Sequence, residues 1–429
     1  MNKMTSQSDT GARITELPSG LRVVTETMSS VETASVGVWV DVGARDESAD
    51  INGVSHLIEH MAFKGTERRS AQAIAEEVEA VGGHLNAYTS REQTAFYAKV
   101  MKEDVGLAVD VLADILQNSV FDADELARER AVVLQEIAQC HDTPDDLVFD
   151  QFQTVAFPDQ PLGRSILGPA AQVEAYDRNV LMNYMKTHYA PSRMVLAGAG
   201  QIDHDALVDM AANAFGDLCG SATDSRAEAA YSGGDAREER ELEQVHFVVG
   251  FKGVHFDDPD FYPLQMFSTV LGGGMSSRLF QEVRERRGLA YSIFSFASAY
   301  VDSGIFGIYA GAGRDQMDEL VPVMAAETMA CRAGISQEET DRARAQLKSG
   351  LLMSLESTSS RCERLARHML IFGRPISIDE MVRELDAVTP DDLHRVAERV
   401  LGSGPPTVAA LGPIDRIEGF DALAGRYSV

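Results

Sequence analysis

The chain reads as an α+β fold built twice over, and three observations predict it. Val195-Leu196-Ala197-Gly198-Ala199-Gly200-Gln201-Ile202-Asp203 is echoed by Val408-Ala409-Ala410-Leu411-Gly412-Pro413-Ile414-Asp415 about 210 residues later. Each is an apolar strand followed by a glycine turn and a polar restart. Val36-Gly37-Val38-Trp39-Val40 has a weaker counterpart in Val245-His246-Phe247-Val248-Val249-Gly250 at a similar offset. Strand patterns also lie close together along the chain, which predicts mostly antiparallel sheets flanked by helices rather than a doubly wound parallel sheet. The offset is too long for a solenoid unit and predicts two homologous domains, 1–219 and 244–429. Gly220 to Glu243, rich in Ala, Ser, Gly and charge, is the expected linker.

The elements of the first half follow in order. Leu21 to Thr27 and Ser35 to Val42 are rich in β-branched residues and read as strands. A helix follows around His56. Ala71 to Val81 carries helical spacing and stops at Gly82-Gly83. Thr94 to Val100 alternates as a strand. Asp104 to Gln117 and Ala123 to Gln139 return to the helical period.

Chemistry is concentrated in His56-Leu57-Ile58-Glu59-His60. Residues four apart share one helix face, so both imidazoles can reach one metal ion. Glu59 stands beside them, where a carboxylate can take a proton from a polarised water. The order is the H-x-x-E-H of inverzincins. A catalytic zinc takes three protein ligands and keeps one position open. The helix Asp124 to Ile137 offers Glu129 and Glu136, which share a face about 10 Å apart. Helix geometry alone leaves both in play.

Composition narrows the function. The 429 residues carry a net charge of -28, which repels phosphate and excludes nucleic acid as a partner. The same charge favours basic partners. No apolar run is long enough to span a bilayer, so no membrane role is expected. The start, Met1-Asn2-Lys3-Met4, lacks a signal-peptide pattern. Cys140, Cys219, Cys331 and Cys362 form no C-x-x-C and read as reduced thiols. A cytoplasmic location is expected, a mature organellar matrix protein being the other reading.

Longer stretches carry a family likeness. Gly53-Val54-Ser55-His56-Leu57-Ile58-Glu59-His60-Met61-Ala62-Phe63-Lys64-Gly65-Thr66 and Gly82-Gly83-His84-Leu85-Asn86-Ala87-Tyr88-Thr89-Ser90 lie in the first half. So do Val132-Val133-Leu134-Gln135-Glu136-Ile137 and Gln160-Pro161-Leu162-Gly163-Arg164-Ser165-Ile166-Leu167-Gly168. Arg284-Glu285-Arg286-Arg287-Gly288-Leu289-Ala290-Tyr291-Ser292 lies in the second. With these the chain resembles the pitrilysin/insulinase superfamily of zinc peptidases, closest to its mitochondrial-processing-peptidase-like branch, as a bacterial homologue would.

The resemblance implies a zinc metalloendopeptidase with one Zn2+ per chain, held by His56, His60 and Glu136. Glu129 would support the site from behind, and Glu59 would be the general base. Arg284 and Tyr291 would supply substrate and transition-state contacts from the second half. The two domains would face each other across a closable cavity that admits extended peptides. Asn86 and Ala87 map to an edge strand that pairs with substrate backbone. Phe63 maps to the pocket for the residue after the cut, and Asp146 with Asp150 to a site for an upstream arginine. Read alone, Arg284 is a surface charge, Tyr291 and Phe63 are packing residues, and Asp146 is a helix-start acid. Leu271-Gly272-Gly273-Gly274-Met275-Ser276-Ser277-Arg278 lacks the G-K-[ST] ending of a phosphate loop and resembles the family's glycine-rich loop. A homodimer is expected, because one chain carries both the metal motif and the Arg-Tyr pair. The alternatives are a non-catalytic core-subunit homologue, against which the intact motif argues, and the active subunit of a heterodimeric processing peptidase.

Overall fold

A computed structural model describes residues 4–7 (backbone only), 11–216, 218, 220 and 226–428. Cys219, the start Met1 to Lys3 and residues 221–225 of the expected linker lie outside the described residues. The fold is α+β, with two sheets that belong to two compact units. The first unit is Met1–Ile137, Ser165–Ala227 and Leu352–Ile378. The second is Ala138–Arg164, Glu228–Leu351 and Asp379–Val429.

The first sheet has seven strands in the order β1-β2-β3-β7-β4-β6-β5. These are β1 (Met4–Gln7), β2 (Arg13–Glu16), β3 (Arg22–Thr27), β4 (Thr33–Val40), β5 (His84–Thr89), β6 (Thr94–Met101) and β7 (Met194–Gly200). Only the β3–β7 pair is parallel. The second sheet is β10-β11-β9-β12-β8, from β8 (Gly234–Glu239), β9 (Gln244–Lys252), β10 (Ser292–Ala299), β11 (Gly304–Gly313) and β12 (Thr407–Gly412). Here only β8–β12 is parallel. Five strands of the first sheet, β3-β7-β4-β6-β5, correspond in order to β8-β12-β9-β11-β10, and β1 and β2 have no counterpart in the second. The echoed strands β7 and β12 sit beside β4 and β9 at the same place in each sheet, with Val195 opposite Trp39 and Val408 opposite Val249.

The first-unit helices that matter for the site are α1 (Val54–Ala62), α2 (Ala71–Glu79), α3 (Val105–Gln117) and α4 (Ala123–Asp142). Ser70 starts α2 by accepting the Ala73 N–H, and Gly82 ends it at φ 69°, where a Cβ would strain the backbone. One face of the sheet buries Val36, Val38, Phe96 and Leu196 against these helices. The other buries Trp39, Val195 and Ala197 against Cys362, Leu365, Ala366 and Met369 of the helix Thr358–Phe372. In the second unit the same role falls to α5 (Pro144–Ala156), whose Leu147, Val148 and Phe152 cover Val248, Ala409 and Leu411. Pro144 opens α5 with Asp145 and Asp146 in its first turn, as helix-start chemistry dictates.

The compact units therefore do not follow the sequence halves. Ala138–Arg164 belongs to the second unit and Leu352–Ile378 to the first. Within the expected linker, Gly234–Glu239 is strand β8, paired in parallel with β12. Its Gly-Asp-Ala-Arg-Glu-Glu sequence hides that from pattern reading, because an edge strand needs little apolar content. No helix among the described residues is long and apolar enough to cross a membrane.

Candidate metal centre

Helix α1 begins at a left-handed Gly53, φ 96°, whose absent side chain cannot cap. Glu47 does so instead. Its Oε2 accepts the Gly53 N–H at 2.7 Å and the Asn52 amide at 2.8 Å, and its Oε1 accepts the Ser55 N–H at 2.8 Å. The Ser55 hydroxyl in turn donates to Tyr184 at 2.9 Å. Burial pushes the Glu47 carboxyl up to about 7, while those donors pull it back. Leu57, Ile58 and Met61 bury one face of α1 in the core. His56, Glu59 and His60 are left on the opposite, half-buried face.

Helix α4 brings Glu136 to that face. Its Oε2 lies 3.5 Å from His56 Nε2 and 3.4 Å from His60 Nε2. The three ligand atoms all fall within 4.8 Å of one another, the only such group among the described residues. Ligands at zinc bond lengths in a tetrahedron lie about 3.3 Å apart, so these side chains fit that ion. Burial, then the neighbouring His60, drops the His56 pKa to about 4, which keeps its imidazole neutral as a metal ligand must be.

One turn before Glu136, and a further turn back, α4 presents Glu129, buried at 6 % exposure. Its Oε2 accepts His60 Nδ1–H at 3.1 Å, which fixes the tautomer with Nε2 unprotonated. Its Oε1 accepts Lys64 Nζ at 2.7 Å. The geometry thus separates the two acids that helix spacing left open: Glu136 reaches both imidazoles and Glu129 stands behind His60.

Glu59 has a buried Oε2 with no hydrogen-bond partner among the described residues. Burial raises its pKa, while hydrogen bonds from Thr89 and the nearby His60 lower it. A desolvated carboxylate with one oxygen uncommitted is suited to proton transfer. Strand β5 packs against α1 and forms an edge of its sheet, with β6 as its one neighbour. On it Asn86 is exposed and its Oδ1 accepts the Ala87 N–H at 2.8 Å, while Ala87 is buried. Phe63, at the end of α1, is half-buried with its ring 6.3 Å from Phe96.

In the second unit, Arg284 lies on a π-helical stretch, Phe280–Arg286. Its guanidinium sits 4.7 Å from the centroids of both Phe280 and Tyr291. Tyr291 is 75 % exposed, so it is not the packing residue that its type suggests. Asp146 is exposed and Asp150 half-buried, one turn apart on α5, and both act on the Cys140 thiol, whose pKa is raised by burial first and these acids second. Sequence reasoning missed Lys64, Thr89 and Glu47. Lys64 lies in the turn beyond the last residue of α1, so helical spacing gave no signal for it.

Comparison with known proteins gives the family. The family description "Insulinase (Peptidase family M16)" matches residues 22–170, and "Peptidase M16 inactive domain" matches residues 175–347. The chain is 41% identical over 429 residues to "Probable mitochondrial-processing peptidase subunit beta, mitochondrial" of Arabidopsis thaliana, covering 96% of this chain and 81% of that protein. An "Uncharacterized zinc protease" of Streptomyces coelicolor is 38% identical over 413 residues, covering 94% and 90%. Another, of Bacillus subtilis, is 40% identical over 385 residues, covering 89% and 93%. The crystal structure of a protease from Helicobacter pylori shares the fold, with a TM-score of 0.88 at 21% identity over 96% of this chain and 100% of that one. Two matched domains, relatives at this identity along nearly the whole length, and the His56-Glu59-His60-Glu136 arrangement lead to one statement: the chain belongs to the insulinase family of peptidases, family M16.

Proposed function

We propose that the protein is a zinc metalloendopeptidase acting on extended, arginine-containing peptides, with one zinc per chain. The observation that carries this reading is the triangle of His56, His60 and Glu136, with Glu129 behind one imidazole and Glu59 beside it. A zinc ion there would supply Lewis acidity and bring a water toward ionisation near neutral pH. Glu59 takes the proton from the attacking water and delivers it to the departing amine, and its uncommitted oxygen supports that role. The exposed backbone edge of β5 at Asn86 and Ala87 suits a substrate bound as an added strand. Phe63 offers an apolar wall for the side chain after the cut. Arg284 and Tyr291 are the proposed donors to the developing oxyanion, and Asp146 with Asp150 the proposed partners of an upstream guanidinium. Because the chain carries both the metal triangle and the Arg284–Tyr291 pair, a homodimer is the proposed assembly.

The test is a peptide-library digest read by mass spectrometry, with and without chelator, on the wild type and on Glu59→Gln. The variant is expected to hold one equivalent of zinc and to lose cleavage by about 10²–10⁴-fold. Full turnover in Glu59→Gln, or cleavage indifferent to metal removal, would overturn the reading.

A further inference from the structure

The first unit contains a cleft of about 430 Å³ on the sheet face covered by the helix Thr358–Phe372. Trp39 from β4, Tyr97 from β6 and Tyr88 from β5 line it, together with Glu363 from the helix. Gly37 makes the arrangement possible, because a Cβ there would come within 2.6 Å of the Trp39 ring and 2.7 Å of Tyr97. The Trp39 and Tyr97 rings lie 15° from parallel with centroids 6.3 Å apart, and Tyr88 closes in with its centroid 6.2 Å from Tyr97. A polar chain runs through the wall: Trp39 Nε1–H donates to Tyr88 Oη at 3.1 Å, and Tyr88 Oη–H donates to Glu363 Oε1 at 3.2 Å. That tyrosine is the one hydrogen-bond donor to Glu363 among the described residues, and no cation pairs with this carboxylate there.

Two half-buried tyrosine rings, backed by the nearly buried Trp39, and an acid with no ion pair among the described residues can attract a cation, since ring faces and a carboxylate both favour positive charge. The field in the cleft is negative on balance. Tyr97 feels Glu363 and Glu59, and at Tyr88 the Glu363 charge precedes that of Arg367. Tyr88 and Thr89 are consecutive on β5 and project to opposite faces of the sheet, so the cleft lies across the strand from the candidate base, whose charge still reaches Tyr97. A planar guanidinium suits such walls better than an ammonium, because it stacks and pairs with a carboxylate at once.

We infer that the Trp39–Tyr88–Tyr97–Glu363 cleft is a binding subsite for the guanidinium of an arginine side chain. Its use as a substrate subsite rests on the peptidase reading above; its capacity to bind does not. Trp39 is the single tryptophan of the chain, so its emission reports on the cleft directly.

The experiment titrates chelator-treated full-length protein with N-acetyl-arginine amide and follows Trp39 fluorescence. The neutral isostere N-acetyl-citrulline amide and N-acetyl-leucine amide serve as controls. A saturable change with the arginine amide is expected, with at least tenfold weaker binding of both controls. Glu363→Gln, with unchanged circular dichroism, should weaken the arginine amide by a similar factor. Tyr97→Leu, at a partly exposed position, should do the same and serves if Glu363→Gln misfolds. No saturable response, equal binding of citrulline or leucine amide, or an unaffected Glu363→Gln would overturn the inference. Failure of the peptidase reading would look different: arginine amide would still bind while zinc-loaded protein cut no peptide.

Discussion

At the scale of single residues, the proposed site divides into groups that would touch a metal ion and groups that hold those groups still. His60 is the best held, because Glu129 accepts a hydrogen bond from its Nδ1–H and Lys64 pairs with the same carboxylate. Such outer contacts are worth about 10–100-fold in metal affinity. Glu129→Gln is therefore expected to lower zinc affinity by that factor in a competition titration with a chelator, and Lys64→Ala by less. Unchanged affinity in Glu129→Gln would remove its supporting role. His56 differs, since its Nδ1 is buried with no hydrogen-bond partner among the described residues. The motif itself was legible in the sequence because helical spacing is local and places His56 and His60 together by geometry alone. Glu136 was less legible. Its seven-residue separation from Glu129 fixes a shared face, but only the packing of α4 beside α1 decides which acid arrives at the imidazoles.

At the scale of elements, the helix that carries His56 and His60 depends on a cap outside itself. Gly53 offers no side chain, so three buried donors converge on Glu47. Glu47→Ala leaves those donors unsatisfied and is expected to cost about 2–3 kcal/mol of stability, read as a lowered denaturation midpoint. The pH dependence has a definite sign. The folded-state pKa of Glu47 is raised from the ordinary 4.5 to about 7, so the folded protein binds the proton more tightly than the unfolded chain. This contribution to stability is complete below about pH 4.5 and is lost as pH rises through about 7. Wild type should thus lose stability relative to Glu47→Gln between pH 5 and pH 8, measured as the difference in their denaturant midpoints. A difference that grows in the wild type's favour over that range would contradict it. Pattern reading found α1 to α4 and β3, β4, β6 and β7 within a few residues, because each carries its own apolar period. It missed β8, whose charged sequence is strand only because β12 offers it a ladder.

At the scale of the whole molecule, the repeat is topological as well as sequential, but the compact units exchange segments. The helix Thr358–Phe372 covers the first sheet, and α5 covers the second. Leu365 and Met369 of that first-unit helix are nearly fully buried, at 1% and 2% exposure. Two such side chains contribute about 3–6 kcal/mol, comparable with the net stability of a domain. Residues 1–219 expressed alone are therefore expected to bind a hydrophobic dye and to aggregate, and co-expression of the remaining chain should restore a soluble complex. A monomeric fragment with sharp, dispersed amide resonances would refute this. By itself the sequence determined the α+β class, the duplicated strands and the metal motif, because these rest on interactions within a few residues or on a repeated pattern. Residue spacing left two glutamates open and the family resemblance pointed to Glu136, which the packing of α4 brings to the histidines; only the tertiary structure decided what caps their helix and which segment covers which sheet. Those outcomes depend on contacts between residues up to hundreds apart, whose free energy has no local signature in the chain.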